Sequence, residues 1–452
     1  MPPKTSPRKL SRRRNRCTHF EPHSPLHCRK QNDSTGKVAV LNTVGELWRI
    51  PKFPTLFVAR AVSNLGNGIS PVALAFGVLA IPGADAGSLS LVAAARTFPI
   101  LLLLIFGGAI ADRYGRARVM GWSDIVLSVF IASIGIAFIT EDATVAFLVV
   151  VGLFAGLLNG LWYPAFAGMT PVIVPPKNLQ TANATIGFGS NVAFMIGTAV
   201  GGITVAYLGI GWAIVVDALT FLIAGLLILP LAKIPQDRPA DDSERITIFR
   251  DIRDGWGEFS SRPWLVTVVV AWAFINLGFE AAWAVLAPLQ SEARFDGPTS
   301  WSIVLTSMAL GMIVGVALAG KIRPKYPLRT AMIFAGFIPV WLISFAIPLP
   351  LGLVAVGGFL AGLGLDLFYV FWMTTIQTQV PPEALSRVNS YDALGSFLFG
   401  PLGILLAGPV ALLIGVQNAL YGAAIVSGLA IASTFLVKSV RNLEGRAKHE
   451  GD

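Results

Sequence analysis

Charge is what this 452-residue chain has least of: 13% of its residues are Asp, Glu, Lys or Arg, against 54% hydrophobic, and its mean hydropathy is +0.68. So few polar side chains cannot cover a globule of this size in water, which excludes a soluble protein. There are only two cysteines, Cys17 and Cys28, and both precede the first long apolar run; a disulfide framework in the apolar body is therefore excluded. Histidine is also scarce, with four residues. His19, His23 and His27 lie beside the cysteines, but nothing around them would hold a metal site in shape, so no metal or other cofactor is expected. The chain has no G-x-x-x-x-G-K-[ST] phosphate loop and no nucleophile with a matching base, so neither ATP-driven work nor an enzyme is expected.

Net positive charge is also absent from most of the chain. The net charge is +9, yet residues 1–50 hold eleven Lys and Arg against three acids, a net of +8. The body is nearly neutral, and no nucleic-acid partner is expected. The segment "PRKLSRRRNR" has no apolar core within reach, so it is neither a signal peptide nor a span. Two readings stay open for residues 1–50: a disordered cytoplasmic tail touching anionic membrane lipid, or a start codon placed too far upstream.

What the chain does have is apolar runs of the length that a helix needs to cross about 30 Å of hydrocarbon. Twelve are expected: 55–81, 88–111, 117–139, 143–168, 181–207, 209–232, 264–289, 300–320, 329–348, 351–379, 389–413 and 415–437. Lipid offers the backbone no hydrogen bonds, so each should be helical, giving an all-α membrane protein; the 46 Gly and 29 Pro mark close approaches and kinks. Connections after even-numbered spans carry the Lys and Arg ("DRYGRAR", "KIRPKYPLR", "PPEALSR"), whereas those after odd-numbered spans carry only Arg294. The positive-inside rule then puts both termini and the long connection at 233–263 in the cytoplasm of a cell with this protein in its plasma (inner) membrane.

That connection divides the spans six and six, and the halves repeat. With a shift of 206 positions, "GLFAGLLNGLWYPAF…VPPKNLQTAN" from 152 aligns without a gap to "GFLAGLGLDLFYVFW…VPPEALSRVN" from 358. A repeated Val-Pro-Pro at one fixed offset is hard to obtain by chance. The expected organisation is a tail (1–50), a six-helix bundle (51–232), a central loop (233–263), a second six-helix bundle (264–438) and a short tail (439–452). Two such bundles with a site between them suit transport by alternating access.

The stretch "GGAIADRYGRAR" at 107–118 sets an acid and three arginines at the end of an apolar run. Its glycines permit a close helix approach and a tight turn, and Asp112 is placed to accept from a helix N-terminus or an arginine. It resembles the G-x-x-x-D-R-x-G-R-x-R motif of the major facilitator superfamily, a resemblance that covers roughly residues 52–440. The resemblance implies twelve helices in two pseudo-symmetric bundles and gives Gly108, Asp112, Arg113, Gly115 and Arg116 the role of a conformational latch. In the second half, "GVALAGKIRPKYP" has Gly320 where the Asp would stand. Phrases such as "FPTLFVARAVSNLGNGI" and "RVNSYDALGSFLFGPLGILLAGP" are similar to the drug:proton antiporter-3 branch, with its macrolide efflux proteins and enterobactin exporter. Export of an amphipathic drug, macrolide or siderophore against protons is what that branch implies, with a monomer expected; a proton-coupled importer, a lipid flippase or a transporter-like sensor are the alternatives.

Residues for that task follow from charge and position. "GTAVGG" resembles the family's G-P-x-x-G-G antiporter motif, carried here by Gly197, Gly201 and Gly202, with Thr198 in place of Pro. Proton coupling needs an acid inside a span, which selects Glu280 and Asp366; Arg96, a lone cation mid-span, needs a carboxylate or an anionic substrate as partner. Asp124 and Asp217 are read as structural. The cavity of such proteins is lined from spans 1, 4, 7 and 10, which offer Asn67, Asn159, Trp162, Tyr163, Asn276, Trp283, Tyr369 and Trp372, a set that suits a large amphipathic small-molecule substrate.

Overall fold

The computed structural model describes residues 45–234, 256–347, 349–381 and 384–445. Cys17, Cys28, the three neighbouring histidines and most of the central connection lie outside the described residues. Twelve helices are long and apolar enough to cross a membrane. They are α1 Phe53–Ala80, α2 Ala86–Tyr114, α3 Arg116–Ile139, α4 Val145–Ile173, α5 Leu179–Leu208, α6 Ile210–Ile228, α7 Pro263–Arg294, α8 Pro298–Ala319, α9 Pro327–Ala346, α10 Leu351–Gln379, α11 in two parts, Leu385–Phe397 and Gly400–Ile414, and α12 Val416–Thr434. Several outrun their apolar stretches, because a helix that has left hydrocarbon still satisfies its own backbone and its polar end is solvated. Asp112 and Arg113 are thus the last turn of α2. The chain reverses at Gly115, whose φ of 93° only glycine adopts without strain, and Arg116 opens α3.

The neighbour relations repeat between halves. α1 packs on α5 and α6, α2 on α4, and α3 on α4 and α6; correspondingly α7 packs on α11 and α12, α8 on α10, and α9 on α10 and α12. This is the 206-residue repeat written in packing. The two sets meet mainly through α5 against α8 and α2 against the second part of α11.

Those contacts lie in one half of the helices, toward the end whose connections carry no Lys or Arg but Arg294 (the neutral face); the end with "DRYGRAR" is the basic face. Here Ser302 donates to the Thr198 carbonyl at 2.6 Å and Thr198 and Thr306 share a hydroxyl–hydroxyl bond of 2.9 Å. The Gly408 N–H donates to Ser90 Oγ at 2.6 Å. The glycines make these approaches possible. A Cβ on Gly408 would strike the Ala86 carbonyl oxygen, one on Gly202 would strike Ser302, and one on Gly197 would strike the Leu65 carbonyl of α1. Small residues at a crossing are how helices bind one another in lipid. The two sets are thus in their closest contact toward the neutral face.

On the basic face, the chain returns after α12 and pins the second set: Glu444 pairs with Lys325 at 3.2 Å, and its carbonyl accepts from Gln379. At the other face, Asp85 caps α2, its carboxylate accepting from the Ser88 N–H at 2.8 Å and the Ser88 hydroxyl at 3.0 Å.

Two expectations follow. Those bonds hold the Asp85 carboxyl below the usual carboxylate range, so the cap is complete above about pH 4, the ordinary carboxylate value, and is lost as pH falls below it. Asp85→Ala should cost ~1 kcal/mol at neutral pH, seen as a lower melting temperature in detergent, with the gap to wild type closing in acid. Gly408→Val overpacks the neutral-face seal and should cost about 1–3 kcal/mol in the sealed state. Its check is faster labelling, from the neutral face, of a cysteine placed at Ala93 in a Cys17→Ser, Cys28→Ser background.

Candidate functional site

Between the two sets, toward mid-membrane, lies a cavity of about 200 Å³. The first set lines it with Asn67, Ser70 and Arg96 from α1 and α2; the second contributes Glu280 and Trp283 from α7 and Ile404 from α11. Among its lining residues, Arg96 and Glu280 alone are charged, and they face it from opposite sets.

Two backbone irregularities place Glu280. Directly after it, α7 widens into a π-helical turn at Ala282–Leu286, with the Ala287 N–H bonded to the Ala282 carbonyl five residues back. Opposite, α11 is interrupted at 398–399, because Pro401 has no N–H to give the Phe397 carbonyl. Gly400 at that break leaves room for Glu280: a Cβ there would sit 3.2 Å from Glu280 Cγ. The Asn276 amide, one turn before Glu280 on α7, donates to the Ser396 carbonyl at 2.9 Å and so satisfies an acceptor that the break exposes. Among the described residues Glu280 has neither a hydrogen bond nor an ion pair. Trp283 stacks with Phe194 of α5 across the seam, ring centroids 6.3 Å apart.

Of the residues singled out in the sequence, Asn67, Arg96, Glu280 and Trp283 meet at this cavity. Asp366 does not. It packs inside the second set against Gly315 of α8, and its Oδ2 is buried without a hydrogen-bond partner. Asn159 donates to the Ala155 carbonyl of its own helix, and Tyr163 and Tyr369, repeat mates, are both exposed. Trp162 and Trp372 are buried as hydrogen-bond donors, each giving its indole N–H to a carboxylate at 3.0 Å, Asp124 and Asp392 respectively. Over Trp162 and Phe166 lies the Arg60 guanidinium, 4.6 and 4.9 Å from the ring centroids. The second set replaces that cation with a ring: Trp272 stacks on Phe368 at 3.9 Å.

Within the 107–118 stretch, Asp112 pairs with Arg116 at 2.9 Å, and Arg116 reaches α4 to donate to the Gly168 carbonyl at 2.5 Å. Gly168 has no side chain to obstruct it. Arg113 lies over Tyr114, and Gly108 sits one turn before Asp112 on α2. In this conformation the ion pair thus ties α2, α3 and α4 together within the first set.

Sequence reasoning misses three things. Thr198 reads only as a departure from the proline of a motif, although its hydroxyl and carbonyl bond α5 to α8 across the seam. Ser70, which accepts from Arg96 at 2.6 Å, is unremarkable in a span of small residues; its approach to a mid-span arginine on the next helix leaves no mark in the sequence. Asp392 stands within a branch-like phrase, with nothing local to show it as an indole acceptor.

The comparisons agree with this architecture. A family model described as Major Facilitator Superfamily matches residues 56–353. The multidrug efflux pump Tap of Mycolicibacterium fortuitum is 28% identical over 374 residues, 79% of this chain and 88% of that one. Macrolide efflux protein A of Streptococcus pyogenes is 24% identical over 389 residues, 82% and 92% of the two chains. Among solved structures, the nucleoside transporter NupG is similar with a TM-score of 0.65 at 14% identity, over 86% of this chain and 100% of that one. An auto-inhibited POT family peptide transporter gives 0.68 at 14%, over 89% and 99%; both likenesses speak for the fold. With its twelve spans, its doubled packing and a family match over most of its length, the chain belongs to the Major Facilitator Superfamily and is a multi-pass membrane transporter.

Proposed function

We propose that the protein exports amphipathic small molecules in exchange for protons, by alternating access, with Glu280 as the group that takes the proton. The observation that carries this reading is a carboxylate without a partner, held at a helix irregularity in the cavity between the two sets. An acid in that setting is costly while ionised, and taking up a proton or pairing with a cation removes the cost. Its neighbours Trp283 and Asn67 offer a flat apolar surface and an amide, which suit a molecule with a ring and a few polar groups. The printed names of the relatives, multidrug and macrolide efflux pumps, support export.

The basic face is read as cytoplasmic from the arginines of its connections, so the conformation sealed at the neutral face is the inward-facing one. The latch role of Asp112, Arg113 and Arg116 belongs to the opposite conformation, where the basic face closes; the Gly108 and Gly115 positions let the helices meet there. One chain contains the whole cavity, and a monomer is sufficient for this cycle.

In everted vesicles, wild type should accumulate ethidium or erythromycin when the lumen is acid, and lose that accumulation when the gradient is collapsed. Glu280→Gln should reduce gradient-driven accumulation about tenfold or more, whereas Asp366→Asn should keep most of it. Undiminished accumulation in Glu280→Gln would remove Glu280 from the coupling, and gradient-driven depletion from the lumen would reverse the direction of transport.

A further inference from the structure

Arg96 faces two ways. Its guanidinium donates to Ser70 Oγ at 2.6 Å, and Asp217 of α6 stands beside these two side chains. These three side chains line a small, mostly apolar void inside the first set. Arg96 and Ser70 also border the cavity on the seam, where Glu280 stands on the opposite wall. Asp217 is buried, and its Oδ1 has no hydrogen-bond partner. There are thus two under-partnered carboxylates, one on each side of the seam, and one guanidinium between them.

The surroundings add no fourth charge. α1 and α11 bring Asn67, Ser70 and Ile404 to the cavity, and α5 brings Phe194 to Trp283. α12, which packs against the π-helical turn, has no acid or base, and its Tyr421 packs against the apolar core. Among the described residues, the other charged side chains deep inside the spans lie elsewhere: Arg60 over the rings of Trp162 and Phe166, Asp124 with Trp162, Asp392 with Trp372 and Ser396, and Asp366 against α8. With Arg96 cationic and Asp217 anionic, a protonated Glu280 leaves this group of three neutral. An ionised Glu280 leaves it with one excess negative charge in hydrocarbon, and the guanidinium is then drawn toward the seam.

We infer that Arg96 is a positioning residue that reads the charge of Glu280: it shifts from Ser70 and Asp217 toward Glu280 when that carboxylate is ionised, tying the two six-helix sets together, and returns when Glu280 is protonated. This rests on Glu280 being the proton site. Its consequence is that the proton and the relative position of the two sets are coupled through a single side chain.

The test needs no substrate. Spin labels at Tyr207→Cys and Leu413→Cys, exposed positions at the neutral-face ends of α5 and α11, in the full chain with Cys17→Ser and Cys28→Ser in lipid nanodiscs, report the opening of that face by their distance distribution. Wild type should shift between two distances with a single midpoint as pH is varied, and Glu280→Gln should abolish the shift. Arg96→Gln should raise the midpoint by about one pH unit or more, because no cation then competes with the proton; Arg96→Lys should stay near wild type. The double variant Arg96→Gln/Asp217→Asn removes both charges together, so it serves where the single variant does not fold, and it should show the same rise. A midpoint unchanged in Arg96→Gln and in the double variant would overturn the inference and leave Glu280 as the proton site. A shift that survives in Glu280→Gln would overturn the proton site itself, and a wild type with no shift would overturn the switch.

Discussion

A charge that enters hydrocarbon must bring its partner along, and most of this molecule's polar architecture follows from that constraint. Asp124 is met by an indole, Arg60 by two rings, Asp392 by an indole and a hydroxyl, and Arg96 by Ser70 with Asp217 beside it. All of these partnerships are internal to one six-helix set. They keep these charges away from the seam contacts, which are glycine approaches, hydroxyls and rings that can be separated and rejoined without exposing an ion. Glu280 stands apart: it sets an ionisable group at the seam and has no partner among the described residues. In the proposed cycle it is this group whose protonation changes the balance between the sets.

The two sets meet this constraint with the same parts in exchanged order. The pair at 162 and 166 is Trp then Phe; 206 positions later, at 368 and 372, it is Phe then Trp, and each pair is stacked. Each tryptophan finds a carboxylate, but on non-equivalent helices, α3 in one set and α11 in the other. The first pair is covered by an arginine and the second by a third ring. Packing repeats while electrostatics do not, so the first set presents a base to the cavity and the second an acid.

Much of the fold is legible in the sequence because hydrophobic length and loop charge are properties of the chain alone. Spans, the six-and-six division and the repeat need no knowledge of contacts, and the motif at 107–118 announces its helix end and its turn at Gly115. The site is legible in part. Glu280 and Arg96 stand out as isolated charges in apolar runs, where the energetic cost is large. Asn276, Trp162 and Trp372 read as cavity residues because they are polar or aromatic at mid-span, yet their hydrogen bonds are to Ser396, Asp124 and Asp392. Those acceptors lie 120, 38 and 20 residues away, and no local pattern encodes such a pairing. Thr198 is obscure for a related reason: what it does depends on Thr306 and Ser302, more than a hundred residues on.

The π-helical turn at Ala282–Leu286 bears on the phase of α7 as well as on the width of one turn. A turn that closes over five residues where four would do carries one residue more than the regular helix, and in an α-helix one residue is worth about 100° of rotation. Everything beyond it, including Gln290, whose amide reaches the Phe345 carbonyl of α9 at 3.0 Å, is therefore dialled round relative to the half that carries Asn276. One helix thus presents two independently oriented faces, one meshed with the α11 break and the other with α9, and Glu280 sits where the two phases join.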